Sequence, residues 1–439
     1  MDVEAKAFGQ LTQWGIPRNE LIAIAFSGGG DSTALLSLMI KWNSAQSVQA
    51  FIVDHRLRPG SGTEAELARS RAQAMGASAR VLSCAWPYEK PGEVPTTGIQ
   101  EKARNARYQL LGDACREQGI KTLMLGHNRG DQAETVFMRQ QAGSGWRGLA
   151  GIKCRIEAPI WPALRGVKIL RPLLGCGRVE LRSYNKNNNL SWIDDPSNDS
   201  RAFARIRARA YLDTHLDEKQ NLLTMAKAAN FILAQEQVLL SEFIQSTTKI
   251  HDWGGVNLLP GFCTAKLGQV AEALKYLLPA LSGDAFPPST EKRMNLARRL
   301  RAKGFSGATL GGVRCVPQED GILCVRDLGV LLGRAKVPAV RPIQLQTNET
   351  KIWDSRFAIT TGRDSVSVDA LGNWVDTLDK SQKQSLSSCP QVARGGLPVF
   401  VLGNQVKFIP FVDSHADNQG FSVRTLTSER LRSLLGEFD

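Results

Sequence analysis

The sequence predicts an α/β protein: a doubly wound, mainly parallel sheet comes first, followed by a helical domain and a small β-rich C-terminal domain. Three observations carry that expectation. Leu21 to Phe26 is a short continuous apolar run with the character of a strand buried on both faces, and Ala50 to Val53 and Lys121 to Leu125 read as further strands of the same sheet. Helical stretches separate them, as parallel crossovers require. The first run leads directly into a glycine-rich loop and a helix start, and polar residues at the carboxyl ends of such strands face the ligand crevice of an open α/β sheet.

That loop is Ser27, Gly28, Gly29, Gly30, Asp31 and Ser32, with helix expected from Thr33 to Met39. Successive glycines let backbone approach a ligand closely, and the serines and free amides of a helix start are donors for an anion, so a phosphate is the natural occupant. No Gly-Lys-Ser/Thr follows, and Asp31 stands where a kinase-type loop would carry a basic residue. Taken alone, the stretch reads equally as a glycine-rich turn at the end of a buried strand. In context it resembles the pyrophosphate loop of the N-type ATP pyrophosphatases, which cleave ATP between its α- and β-phosphates and leave AMP on a substrate oxygen.

With 439 residues the chain exceeds one typical core, and the reading divides it into 1–212, a nucleotide-binding catalytic domain, 213–332, mainly helical, and 333–439, small and β-rich. Lys and Arg number 55 against 42 Asp and Glu, a net charge of +13 that favours a polyanionic partner such as nucleic acid. No apolar run is long enough to span a bilayer, and Asp2, Glu4 and Lys6 stand where a secretory signal would need its apolar region, so a cytoplasmic protein without membrane partners is expected. The eight cysteines are dispersed with no Cys-x-x-Cys pair, which argues against a zinc ribbon, a cluster site and a disulfide framework.

In chain order, the second strand ends in Val53, Asp54 and His55 at the presumed crevice. Helix is expected from Thr63 to Met75, a third strand from Arg80 to Cys84, and an irregular loop at Pro87, Pro91, Gly92 and Pro95. A helix from Ile99 to Cys115 places Arg104 and Arg107 three apart on one face, suited either to clamping phosphates or a carboxylate or to surface pairing with Glu101. After the fourth strand come His127, Asp131 and Glu134. The two acids share a face at a helix beginning, where they fit an ammonium group, Mg²⁺, or an ordinary acidic first turn. Gly143 to Gly151, with Trp146 and Arg147, reads as a flexible loop able to contact RNA. Ile169 to Leu174 leads into a helix through Leu181 and Tyr184. After Trp192 to Asp199, Arg201, Arg205, Arg207 and Arg209 make a basic patch or a solvated face. From Leu212 to Leu281 the chain looks mostly helical, and a helix from Glu291 to Lys303 carries Arg298 and Arg299, a candidate tRNA backbone contact. Segments such as Ile322 to Val325 and Val399 to Leu402 read as strands.

Several separated segments together resemble the tRNA(Ile)-lysidine synthetases, a branch of the PP-loop, adenine nucleotide alpha hydrolase-like enzymes. They are Ser27 to Ser32, Val53-Asp54-His55, Ala103-Arg104 with Arg107-Tyr108, Leu125-Gly126-His127 with Asp131 to Thr135, Arg171 to Leu174, and Trp192 to Asn198. The likeness is strong over residues 20 to 210 and looser beyond, at Thr309 to Gly312 and Trp353 to Phe357. It implies adenylation of C2 of the wobble cytidine in the CAU anticodon of tRNA(Ile), with ATP and Mg²⁺, followed by displacement of AMP by free L-lysine. Carried onto this sequence, Ser27 to Ser32 with Val53 and His55 would bind ATP. Asp31, Arg104, His127, Asp131 and Glu134 would be catalytic, with Arg107 helping His127 and Arg104 to stabilise charge. Arg104, Asp131 and Glu134 would hold lysine, and Glu134 would take its proton. Arg147, Arg201, Arg205, Arg207, Arg298 and Arg299 would meet the tRNA. Oligomeric state stays open between monomer and homodimer.

Two residues depart from the family pattern: Asn128 and Gly130 stand where a second histidine and a further acid are common. The competing readings are a PP-loop tRNA thiolase, which commonly needs paired cysteines, and an inactive RNA-binding homologue.

Overall fold

In the computed structural model the described residues are 2–86, 98–193, 204–334, 337–363, 365–412 and 420–437, so the expected loop at Pro87 to Pro95 and the stretch from Asp194 to Arg201 lie outside them. The chain forms two compact units, Met1–Glu236 and Gln237–Asp439.

The first unit opens with α1 (Val3–Gln13), then alternates strand and helix: β1 (Ile22–Ala25), α2 (Gly30–Trp42), β2 (Val48–Asp54), α3 (Ser61–Ala74), β3 (Ser78–Ser83), α4 (Ile99–Glu117), β4 (Thr122–Met124) and α5 (Arg129–Gln141). Next come β5 (Arg155–Glu157), β6 (Lys168–Leu170), α6 (Arg178–Asn187) and α7 (Ala204–Thr214), and the long α8 (Leu216–Thr247) follows. The strands form one sheet in the order β3-β2-β1-β4-β6-β5. All neighbours pair in parallel except the edge pair of β5 with β6. This is the doubly wound, mainly parallel sheet expected from the unalternating apolar runs.

Alternation is present in space although absent in the sequence. Ile22 and Ile24 of β1 pack into one core with Leu35, Leu36, Met39 and Leu181, while Ala23 and Ala25 face the other, with Tyr108, Leu111 and Leu123. Both faces are covered by helices, so both sets of side chains must be apolar. The chain crosses from β1 to β2 and β3 on one side and then to β4 on the other. The ends of β1 and β4 therefore flank the switch point at which such sheets bind ligands.

The second unit has β7 (Thr248–Ile250), β8 (Val256–Leu258), α9 (Pro260–Thr264), α10 (Leu267–Ser282), α11 (Thr290–Leu300), β9 (Ala308–Leu310), β10 (Val313–Gln318) and β11 (Gly321–Arg326). Five strands make a sheet in the order β7-β8-β11-β10-β9. The helices α10 and α11 pack on it through Leu274, Leu277, Leu278, Leu296 and Ala297. Residues 343–425 supply two more antiparallel sheets, of four and three strands. The stretch read as mostly helical up to Leu281 is so in α8 and α10, with the three-residue strands β7 and β8 between them.

Candidate active site

The loop after β1 takes its shape from one glycine. Gly28 has φ +78°, and a Cβ there would lie 2.8 Å from Ile193 Cδ1 and 3.2 Å from Ala68 Cβ, so a side chain would meet both strain and collision. Ser32 Oγ donates to the Gly29 carbonyl at 2.9 Å and lies 3.2 Å from Ser27 Oγ, which folds the loop onto the first turn of α2. Asn185 of α6, fully buried, donates from Nδ2 to the Gly30 carbonyl at 2.8 Å. Gly126, at the end of β4, lets the two crevice loops meet: a Cβ there would lie 3.2 Å from the Ser32 amide nitrogen.

Across the switch point, α5 begins with a reciprocal cap. Asn128 Oδ1 accepts from the amides of Gly130, at 2.7 Å, and Asp131, at 3.1 Å, while Asp131 Oδ2 accepts from the Asn128 amide at 2.9 Å. The buried Asn128 also donates from Nδ2 to Asp31 Oδ2 at 2.9 Å, tying the helix cap to the phosphate-type loop. The two departures from the family pattern belong together. A Cβ at Gly130 would crowd Asn128 Oδ1 at 3.0 Å, and Asn128 supplies in one side chain an acceptor for the helix and a donor for Asp31. Burial raises the pKa of Asp31, and the nearby Asp131 adds to this, opposed by the Arg178 charge and the Asn128 hydrogen bond.

His127 lines the same cleft, and its Nδ1 accepts from Arg171 Nε at 3.1 Å. When neutral it therefore carries its proton on Nε2. Burial, with Arg171, Arg205, Arg107 and Arg104 around it, pulls its pKa down to about 3. At neutral pH the ring is therefore uncharged, with its Nε2 proton free of the Arg171 contact.

The residues expected at the site do not all meet in it. Ser27, Gly29, Gly30, Asp31, Ser32, His127 and Asp131 line one cleft of about 1030 Å³, together with Arg107, Arg178, Arg205 and Arg209. Val53 and His55 line an adjoining cavity of about 780 Å³ with Phe51, Ile52 and Ala68; Ala25, Ser27, Gly29, Arg107 and Ile193 border both spaces. Glu134 sits behind Asp131, 2% exposed. It is held by Arg205 Nε at 2.9 Å and Arg209 Nε at 2.6 Å, and Arg205 reaches Asp131 as well at 3.2 Å. Arg107 borders the cleft, whereas Arg104 is exposed over the Tyr108 ring at 5.0 Å.

Of the arginines assigned to nucleic acid, Arg205 is thus turned onto the two acids while Arg207 is exposed. Arg147 is exposed, paired with Glu236 at 2.8 Å and lying over Trp146. Arg298 and Arg299 are exposed on α11 in the second unit, and Arg201 lies outside the described residues. Sequence reasoning gave no site role to Arg171, Arg178, Arg182 or Asn185, and read Arg209 only as part of a basic patch or a solvated face. Arg171 had a positional signal, since it follows directly on β6, the strand beside β4.

Residues 3–216 match the family model of the PP-loop domain. A tRNA(Ile)-lysidine synthase from Caulobacter vibrioides is 31% identical over 424 residues, covering 95% of this chain and 94% of that protein. Another from Hyphomonas neptunium is 34% identical over 313 residues, covering 71% and 82%. Among solved structures, the U34-tRNA thiolase NcsA from Methanococcus maripaludis, with its [4Fe-4S] cluster, is similar over 52% of this chain and 77% of its own. Its TM-score is 0.42 and its identity 17%.

Proposed function

Since the chain belongs to the tRNA(Ile)-lysidine synthase family, we propose that it joins free lysine to C2 of the wobble cytidine in the CAU anticodon of tRNA(Ile), at the expense of ATP. The observation that carries the proposal is the meeting of the Ser27 to Ser32 loop and the Asp131 carboxylate in one cleft with arginines around it. An anion and an ammonium group both find partners there.

The proposed chemistry has two steps. The adenosine enters the cavity at Phe51, Val53 and His55, and the phosphates lie along Ser27 to Ser32. The cytidine O2 bonds to the α-phosphorus while the bond from that phosphorus to the bridging oxygen breaks, and pyrophosphate leaves with the electron pair. This turns a poor leaving group into a good one. The lysine side-chain nitrogen then attacks C2, AMP departs with the former O2, and the nitrogen gives up its surplus proton. Asp131 and Glu134 hold the amine, and Glu134 is the base in this reading. Arg205 holds both acids in the structure, so one cation would replace another when lysine binds. His127 would donate from Nε2, and Arg107 would stabilise the charge on the α-phosphate.

Asp31 is the carboxylate of the Ser27 to Ser32 loop, and among the described residues no group of three metal-type ligands occurs. One carboxylate fits Mg²⁺, which is commonly bound by one or two carboxylates plus substrate phosphates. Asp31 would hold the ion, which would neutralise phosphate charge. The relatives' shared name favours lysine over sulfur as the group transferred, and among the described residues no cysteine lines the cleft. Among the described residues no helix is long and apolar enough to cross a membrane.

The test is incorporation of radiolabelled lysine with ATP into purified tRNAs. Label is expected on the isoleucine tRNA bearing CAU and not on elongator methionine tRNA. ATP cleavage to AMP and pyrophosphate without label on either tRNA would overturn the choice of nucleophile.

A further inference from the structure

We propose that Arg178, with Arg182 one turn along α6, is the cationic seat for the pyrophosphate that leaves in the first step; this rests on the adenylation reading above. During that step the bridging oxygen takes the electron pair from the α-phosphorus, so negative charge grows on the departing group and needs a partner separate from the one that stays with AMP.

Among the described residues, five arginines line the cleft: Arg107, Arg178, Arg182, Arg205 and Arg209. Arg205 and Arg209 are committed to Glu134 and Asp131. Arg107 borders both the cleft and the adenosine cavity, as do Ser27 and Gly29, which puts it at the α-phosphate end of a nucleotide lying across the two. The β- and γ-phosphates then extend away from the adenosine cavity, to the part of the cleft lined by Gly30, Asp31 and Ser32. Arg178 and Arg182 also line the cleft, and they do so without bordering the adenosine cavity.

Their placement is built in. Positions 178, 182 and 185 fall on one stripe of α6, and Asn185 on that stripe is bonded to the Gly30 carbonyl. The helix is fixed further by Tyr184, whose hydroxyl lies 3.1 Å from Ser37 Oγ of α2, and by Glu180, which accepts from Lys6 Nζ at 2.6 Å and from the Gly177 amide. Among described carboxylates Arg178 has no ion-pair partner within 4.0 Å, while its charge is the strongest of those that favour the Asp31 anion. Two guanidiniums on a fixed helix face suit a polyphosphate, which they can grip bidentately.

The test is direct binding of inorganic pyrophosphate and, separately, of AMP to the full-length protein by calorimetry. Arg178→Ala is expected to weaken pyrophosphate binding about tenfold to a hundredfold, the loss of one charge-assisted contact, with AMP binding unchanged. Arg178→Lys is expected to recover part of the loss, and the double change with Arg182→Ala to exceed the single one. Unaltered pyrophosphate affinity in Arg178→Ala, equal loss for AMP, or no pyrophosphate binding by the wild-type protein would each overturn the inference. The lysine-incorporation assay on the wild-type protein decides the functional reading independently.

Discussion

At the scale of single residues, His127 shows how context sets a role. Its Nδ1 is occupied by Arg171, and burial beside four arginines holds its pKa at about 3. The sign of the consequence is fixed. In the unfolded chain a histidine takes up a proton below about pH 6.5, whereas the folded protein does not until about pH 3. Stability from His127 is therefore complete above the unfolded value and is lost as the pH falls between the two, by at most about 1.4 kcal/mol per pH unit. Urea unfolding at neutral and mildly acid pH should show a steeper acid loss in wild type than in His127→Asn; equal slopes would contradict the neutral assignment. The sequence placed His127 after a buried strand, hence at the crevice. It could not show the neutral state, because Arg171 lies 44 positions away and reaches His127 only through the pairing of β4 with β6.

At the scale of elements, the start of α5 ties the two crevice loops together. Asn128 caps the helix and also fixes Asp31, so its two tasks can be separated by substitution. Asn128→Ala should lose about 1 kcal/mol of stability through the cap and reduce ATP use. Asn128→Asp keeps a good cap but sets a second carboxylate against Asp31, so it should retain more stability in thermal unfolding and still use ATP poorly. Normal ATP turnover in Asn128→Asp would show that the bond to Asp31 is unimportant. The acidic pair was legible from its spacing of three. The inward turn of α7 was legible in principle, since Arg205 and Arg209 are four apart and flank buried Ala208, with Leu212 on the next turn. Their clustering with Arg207 disguised it as a uniform basic patch.

At the scale of the molecule, the doubly wound sheet was legible because strands covered on both faces must be apolar at every position, and β1 is buried throughout. The five-stranded sheet of the second unit was less so: β7, β8 and β9 are three residues each, too short to show a period. The cleft draws its parts from loops after β1 and β4 and from α4, α6 and α7, so no one stretch of sequence contains it.

In the proposed function this cleft activates a tRNA base as its adenylate before lysine arrives. The most direct measurement is transfer of label from ATP marked at the α-phosphate to tRNA(Ile) with lysine omitted. Label retained on the tRNA, and released as AMP when lysine is added, is the expected result. AMP formation only in the presence of lysine, with no label ever carried by the tRNA, would contradict it.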